Sequence, residues 1–295
     1  MRTSIAARSA NTLAMVDRIR DVGMTWAFEY DLYFAKKWRE IALRGGLIAG
    51  NECMKFFKKP DLMESTRSYL RNFARQAAAS VGPNALVLDA GAGDSPYRVF
   101  FSHATYEAAD HCKRPERPYT HVSYVCDLTS IPVQSNRYDL VLCTQVLEHV
   151  PRPQETLMEL SRVLKPGGKL WISAPFFYEE HEVPHDFFRY TQFAWRHMMG
   201  QAGLTIDRLE WVGGYFGALA YQLDMAWHFL PMRPRHYGGG FIGAAACALT
   251  FAARPIMFAL AFVYSRLDRR HKYTDAGHGL DYCVVATKLD RAGSA

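Results

Sequence analysis

Val87-Leu88-Asp89-Ala90-Gly91-Ala92-Gly93-Asp94-Ser95 is the stretch that decides the fold. An apolar run from Ala85 to Leu88 ends in an acid and then in a glycine-alternating turn. That pattern predicts a buried parallel strand running into a tight strand-to-helix loop. Glycines at 91 and 93 permit positive φ and a close backbone approach to a ligand. The third glycine of the dinucleotide fingerprint is absent, because Ser95-Pro96 stands where close helix packing on a pyrophosphate needs glycine.

Outward from this turn, strand and helix patterns alternate, which marks an α/β sheet. Strands are expected at 85–89, 105–110, 122–127, 138–144, 169–174, 205–212 and 281–288. A helix expected over 152–164 carries Leu157, Leu160 and Leu164 on one face, with Pro153 in its first turn and Gly167 as its stop. Thr191 is suited to cap, and Gly203 to end, the helix before the sixth strand. Asp89, Asp110 and Asp127 close three successive strands. In an open α/β sheet the ligand lies beyond the carboxyl ends of the strands, so these acids and the glycine turn point to one site. A carboxylate ending the second strand can accept from both hydroxyls of a ribose.

After the fifth strand, the segment Pro175 to Thr191 holds His181, Glu182, His185, Asp186 and Arg189. Histidine takes a proton near neutral pH, and a neighbouring carboxylate can orient its ring. His185, His181 and Asp186 are therefore the candidate catalytic set. A scaffold role, with Asp186 paired to Arg189 and the aromatics closing the core, weighs equally. Pro184 stands between the two histidines and argues against one helix presenting both to a metal, so no metal site is expected.

The segment 241–264 is apolar, is interrupted by Arg254-Pro255, and leads into Arg266, Arg269, Arg270, His271 and Lys272. The interruption predicts two shorter pieces. A hydrophobic helical hairpin, packed on the domain or in a homodimer interface, is preferred. Peripheral membrane contact through 241–272, with the basic cluster on anionic headgroups, ranks second. A membrane-spanning helix ranks third.

The bulk numbers set the frame. The chain has 295 residues, of which 49% are apolar, enough for a core without disulfides or metal. Six cysteines with no CxxC pair read as a reducing, cytoplasmic setting without zinc. The first residues lack a sustained apolar stretch, so a secretory signal is not expected. A net charge of +6 permits nucleic acid, an anionic membrane or an anionic substrate and selects none. No compact basic-aromatic module is visible, so a nucleic-acid partner is not expected.

These landmarks, in this order, resemble the class I S-adenosylmethionine-dependent methyltransferases, and within them the type-11, ubiquinone/menaquinone-methyltransferase-like branch. The resemblance covers about residues 66–215 and again 281–288. It is carried by the Asp89–Gly93 turn, Asp110, Asp127-Leu128 and Thr144-Gln145-Val146. Leu147-Glu148-His149-Val150, Lys165-Pro166-Gly167-Gly168 and the Pro184–Thr191 stretch complete it. It implies a Rossmann-like, doubly wound seven-stranded sheet with the last strand antiparallel, and S-adenosylmethionine as cofactor. It also implies cofactor-binding roles for Asp89, Gly91, Gly93, Asp110, Asp127, Leu128 and Gln145. The turn would lie under the methionine part and Asp110 on the ribose. Asp127 and the Leu128 amide would meet the adenine, and Gln145 would run beneath the sulfonium. His149 is implied to be structural.

The expected organisation is an N-terminal helical cap over 1–65 and a methyltransferase domain over 66–290 with an apolar helical insert at 215–272. The expected activity is methyl transfer, tilted toward oxygen by the histidines, to a small or lipid-linked acceptor such as a sugar, quinone, lipid or secondary metabolite. The expected location is the cytoplasm, at the inner face of a membrane if the insert binds lipid. A nicotinamide-dependent oxidoreductase is disfavoured by the missing third glycine. A silent membrane-associated scaffold and an RNA methyltransferase are the remaining alternatives.

Overall fold

Side chains alternate between two buried faces along every central strand, and that alternation organises the molecule. The computed structural model describes residues 62–112 and 119–290. Almost all of the expected N-terminal cap lies outside these described residues. The elements are α1 (Leu62–Ala79), β1 (Leu86–Ala90), β2 (Thr105–Asp110), β3 (Tyr124–Val125), β4 (Tyr138–Thr144), α2 (Pro153–Val163) and β5 (Leu164–Pro175). Then come α3 (Gln192–Gln201), β6 (Leu204–Val212), α4 (Tyr215–Phe229), α5 (Gly240–Arg270) and β7 (Asp281–Lys288).

The strands form one seven-stranded sheet in the order β3-β2-β1-β4-β5-β7-β6. The strands from β1 to β5 pair in parallel, and β7 runs antiparallel between β5 and β6. This is the expected mixed, doubly wound sheet. Leu88, Val141, Cys143, Leu170, Ile172 and Val284 face a core shared with Leu157 and Leu160 of α2 and with Trp195 and Met199 of α3. Val87, Leu140, Leu142, Trp171 and Val285 face the other core, with Leu70, Phe73 and Ala77 of α1. Burial on both faces is why these strands read as nearly continuous apolar runs. The order of strand addition reverses between β1 and β4, the switch point where α/β sheets hold ligands.

Three expectations are corrected. β3 spans only Tyr124–Val125, not 122–127. Among the described residues it is an edge strand paired only with β2, and Asp127 is drawn into a turn instead. Gly167 does not stop α2, since Leu164 is already extended at ψ 142° and begins β5. Lys165-Pro166-Gly167-Gly168 forms an irregularity inside β5, where the register against β4 slips between Tyr138 and Leu140.

The third correction concerns the apolar insert. The segment is one 31-residue helix that runs through Pro255. The hairpin is made by α4 and α5, not by two halves of the segment. Proline removes one helical hydrogen bond and crowds the preceding turn. Packing on α4 holds the helix on the C-terminal side of it, and on the other side Arg254 donates to the Leu230 carbonyl at 2.9 Å. Trp227 meets Phe258 with ring centroids 5.4 Å apart, Phe216 stacks on Tyr264 at 5.9 Å, and Ala220 and Ala261 are buried between. Buried Asp268 of α5 accepts the Gly214 amide at the start of α4 at 2.8 Å. Gly217 lets α4 approach, since a Cβ there would come within 2.7 Å of the Asp268 carboxylate. The outer face of α5 leaves Phe241, Ile242, Leu249, Phe251 and Ile256 exposed. By length and composition alone α5 is long and apolar enough to cross a bilayer.

Candidate functional site

The carboxyl ends of β1, β2 and β4 bring the glycine turn together with the strand-end residues. Asp89, the next-to-last residue of β1, is buried and accepts a hydrogen bond from the Tyr106 hydroxyl of β2. Burial pushes its carboxyl up to about 7, opposed by the Tyr106 bond and reinforced by the Asp110 charge. Gly91 and Gly93 both take positive φ, +77° and +52°. A Cβ on Gly91 would come within 2.5 Å of both Val146 methyls. Gly91 is therefore demanded first by the loop leaving β4, which lies against the turn.

Asp110 ends β2. One carboxylate oxygen accepts the Gly93 amide and the other the Cys112 amide, each at 2.9 Å. His111 Nδ1 lies 3.3 Å away. Burial opposes ionisation, but the hydrogen bonds from His111 and from the Cys112 and Gly93 amides outweigh it and hold the acid below the usual carboxylate range. Asp110 is thus an ionised, nearly buried acceptor tied to the glycine turn. In the same turn the Asp94 Oδ1 is buried with no hydrogen-bond partner.

Gln145 leaves β4 at φ +53°. Its amide donates to the Ser173 carbonyl at 2.9 Å and its side-chain Nε2 to the Ser173 hydroxyl at 3.2 Å. A non-glycine residue held in this region is a strained position of the kind that clusters at functional sites. Asp127 stands past the end of β3, exposed, and its Oδ1 accepts the Thr129 amide at 2.9 Å and hydroxyl at 2.8 Å. The Leu128 side chain is core. The donor set fits the implied cofactor. A nucleoside with two ribose hydroxyls needs an ionised acceptor such as Asp110, and an ammonium group needs an acceptor such as the Asp94 oxygen.

The 176–191 loop leaves β5 at the same end of the sheet. Asp186 is gripped by both terminal nitrogens of Arg189, at 2.7 and 2.8 Å, and also accepts the His181 amide at 2.8 Å. Burial works the other way, but Arg189 and the His181 amide pull its carboxyl down to about 2. Asp186 therefore holds the loop in shape. His181 Nδ1 is 3.4 Å from Asp186 and 3.1 Å from the Glu179 carbonyl. The His185 side chain is exposed, while its carbonyl meets His149 Nδ1 at 2.7 Å. The fold brings His181 and Asp186 together and sets His185 apart from them. The loop is stitched to residues 147–149 by the Tyr190 hydroxyl on the Leu147 carbonyl at 2.8 Å and the Phe187 amide on the Glu148 carbonyl at 2.8 Å.

Three residues at this end were not singled out by the sequence reading. Glu148 is fully buried, and burial pushes its carboxyl up to about 8. Asp281, which opens β7, is buried with one oxygen unpartnered, and burial pushes it up to about 7 against the pull of Arg189. Tyr221 of α4 stacks on Tyr178 at 5.1 Å with its hydroxyl buried and unpartnered. Glu148 sits inside a stretch already noted as characteristic, yet nothing local marks it as buried. A surface depression lined by Gly82, Asp139, Lys165 and Lys169 among others lies at the opposite, amino end of the sheet.

Comparison with known proteins fits this geometry. A family model described as a methyltransferase domain matches residues 77–172. A ubiquinone biosynthesis O-methyltransferase of Coxiella burnetii is 36% identical over 59 residues, which are 20% of this chain and 25% of that protein. One of the same name from Xanthomonas oryzae pv. oryzae is 48% identical over 40 residues, 14% of this chain and 17% of that one. The chain thus spans a quarter or less of the length of the curated relatives it matches. The solved geranyl diphosphate C-methyltransferase of Streptomyces coelicolor A3(2) is similar over 76% of this chain and 79% of that one, with a TM-score of 0.45 and 12% identity. The matched segment runs from the end of α1 through most of β5 and holds the glycine turn, Asp110, Asp127 and Gln145. Residues 77–172 of this chain are thus similar to a methyltransferase domain.

Proposed function

We propose that this protein transfers a methyl group from S-adenosylmethionine to an oxygen of a small or lipid-linked acceptor. The observation that carries the reading is Asp110, a nearly buried, ionised carboxylate at the end of β2 that the Gly93 and Cys112 amides hold in place. Asp110 would hold the ribose hydroxyls, the Gly91–Gly93 turn the methionine part, and Asp127 with the Leu128 amide the adenine. When bound, S-adenosylmethionine supplies a methyl carbon already activated toward in-line displacement. The chain's own work is then to align the acceptor and to receive its proton.

Asp186 is committed to Arg189 and is a positioning residue. His185, exposed on the same loop, is the proton acceptor in this reading. A hydroxyl needs such a base more than an amine does, which favours oxygen. The similarity to ubiquinone biosynthesis O-methyltransferases supports the same choice. The outer face of α5 supports a lipid-linked acceptor, because exposed Phe241, Phe251 and Ile256 are followed by Arg266, Arg269 and Arg270. An aromatic, apolar face beside a cationic cluster suits the cytoplasmic face of an anionic membrane.

The test is calorimetric titration of S-adenosylmethionine, S-adenosylhomocysteine and NADH into wild type and Asp110→Ala. The first two should bind and NADH should not. Asp110→Ala should weaken binding about 100-fold, from two charge-assisted hydrogen bonds at about 1.5 kcal/mol each and about 1.4 kcal/mol per tenfold. A folded wild type that binds neither sulfur compound refutes the reading. For the membrane contact, sedimentation with vesicles containing anionic lipid should be lost in Phe241→Glu/Phe251→Glu. Unchanged sedimentation of that variant would remove α5 from the account.

A further inference from the structure

We propose that Glu148, His149 and His181 bind one divalent transition-metal ion, with Zn²⁺ the best-matched probe. One ligand atom from each of the three lies within 4.8 Å of the others. The rings of His149 and His181 meet edge to face with centroids 4.7 Å apart. His149 Nε2 is 3.7 Å from a Glu148 oxygen and 3.7 Å from a Glu182 oxygen, so a fourth donor stands at the same nitrogen.

The tautomers favour coordination. His149 Nδ1 lies 2.7 Å from the His185 carbonyl, and His181 Nδ1 lies 3.1 Å from the Glu179 carbonyl. A carbonyl can only accept, so each Nδ1 carries the proton, and in the neutral ring each Nε2 then carries the lone pair. This is how proteins orient metal-bound histidines, with a hydrogen bond from the other ring nitrogen to a carbonyl or carboxylate.

Glu148 supplies the independent pointer. It is 0% exposed, and neither carboxylate oxygen accepts a hydrogen bond from another residue. With His149 Nε2 at 3.7 Å and no hydrogen bond made, such a buried carboxylate is costly, and a cation removes that cost. Two imidazoles and a carboxylate are the donor set of open Zn²⁺ sites and suit other first-row divalent ions as well. Zn²⁺ takes its nitrogen and oxygen ligands at about 2.0–2.2 Å, so the donors would draw inward by little more than about 1 Å.

The sequence reading discounted a metal because Pro184 separates His181 from His185. The fold instead sets His181 beside His149, from the other segment at this end of the sheet. An ion here would clamp residues 147–149 to the 176–191 loop. The site shares no residue with the cofactor cradle or the proposed base, so it stands or falls apart from the methyl-transfer reading.

The test uses the full chain, stripped with a chelator and dialysed, then titrated with Zn²⁺ by calorimetry and with Co²⁺ by visible absorption. One equivalent of Zn²⁺ should bind, and Co²⁺ should give ligand-field bands. Glu148→Gln and His181→Ala, each checked by circular dichroism, should lose more than the roughly 10–100-fold that loss of an outer-shell partner costs. His185→Ala, which keeps its carbonyl, should bind as wild type does. Folded wild type that takes up no Zn²⁺ overturns the proposal and leaves an imidazolium as the partner of Glu148. Wild-type affinity in a folded His181→Ala overturns it equally, whether or not Glu148→Gln folds.

Discussion

Replacing Gly91 with alanine should destabilise the fold before any ligand is considered. Gly91 sits at φ +77°, where a side chain costs about 1–2 kcal/mol. The added Cβ would lie 2.5 Å from both Val146 methyls and 3.0 Å from the Val146 Cβ. Because both methyls and the branch carbon are met, rotating χ1 of Val146 does not clear the contact. Overpacking of this kind costs about 1–3 kcal/mol. The sum is about 2–5 kcal/mol, read as a lower urea midpoint at constant slope. The double variant separates the two parts. Val146→Ala alone should cost about 1–2 kcal/mol for its two lost methyls. In Gly91→Ala/Val146→Ala most of the steric part should return while the φ part stays, a coupling of about 1–3 kcal/mol. A Gly91→Ala variant within about 0.5 kcal/mol of wild type, or strict additivity in the double variant, would refute the reasoning. If it holds, weakened cofactor binding by Gly91→Ala reports loop packing as much as ligand contact.

Other expectations follow from the same geometry. The Asp89 acid, near 3.9 when unfolded, is pushed up to about 7 in the fold. The stability it contributes is full below about pH 4 and is lost as pH rises through about 7, on the order of a few kcal/mol. Asp89→Asn should flatten that decline, and a profile identical to wild type counts against the buried neutral acid. Asp268→Ala strips the Gly214 amide of its acceptor at the start of α4 and should cost about 1–3 kcal/mol in chemical unfolding. S-adenosylmethionine affinity should not change in it, and an unchanged unfolding midpoint would contradict the capping role. His185→Ala should leave cofactor binding intact and slow turnover of a hydroxyl acceptor, so full turnover would end its assignment as base.

Much of the sheet was legible because its signals are local. The strands Thr105–Asp110, Tyr138–Thr144 and Asp281–Lys288 stand where the apolar runs placed them, since burial on both faces writes itself into consecutive residues. The acids and glycines proposed to hold the cofactor could be placed at one end of the sheet for a related reason: each lies at the end of a strand or in the turn close after it. The Asp186–Arg189 pair needed only a separation of three residues. What the residues alone could not convey depends on segments distant in sequence. Pro255 breaks a helix by the local rule, yet α5 continues through it because α4 packs on the turns after it and Arg254 ties the turn before it to the Leu230 carbonyl. Glu148 is a turn carboxylate by its neighbours and a fully buried one by its place at the carboxyl end of the sheet. His181 meets His149 rather than His185 because adjacent β4 and β5 deliver their outgoing loops to one edge. Periodicity records which face of its own element a residue occupies; which elements share an edge is set by the order of strands, and that order placed the histidines and the buried acids together.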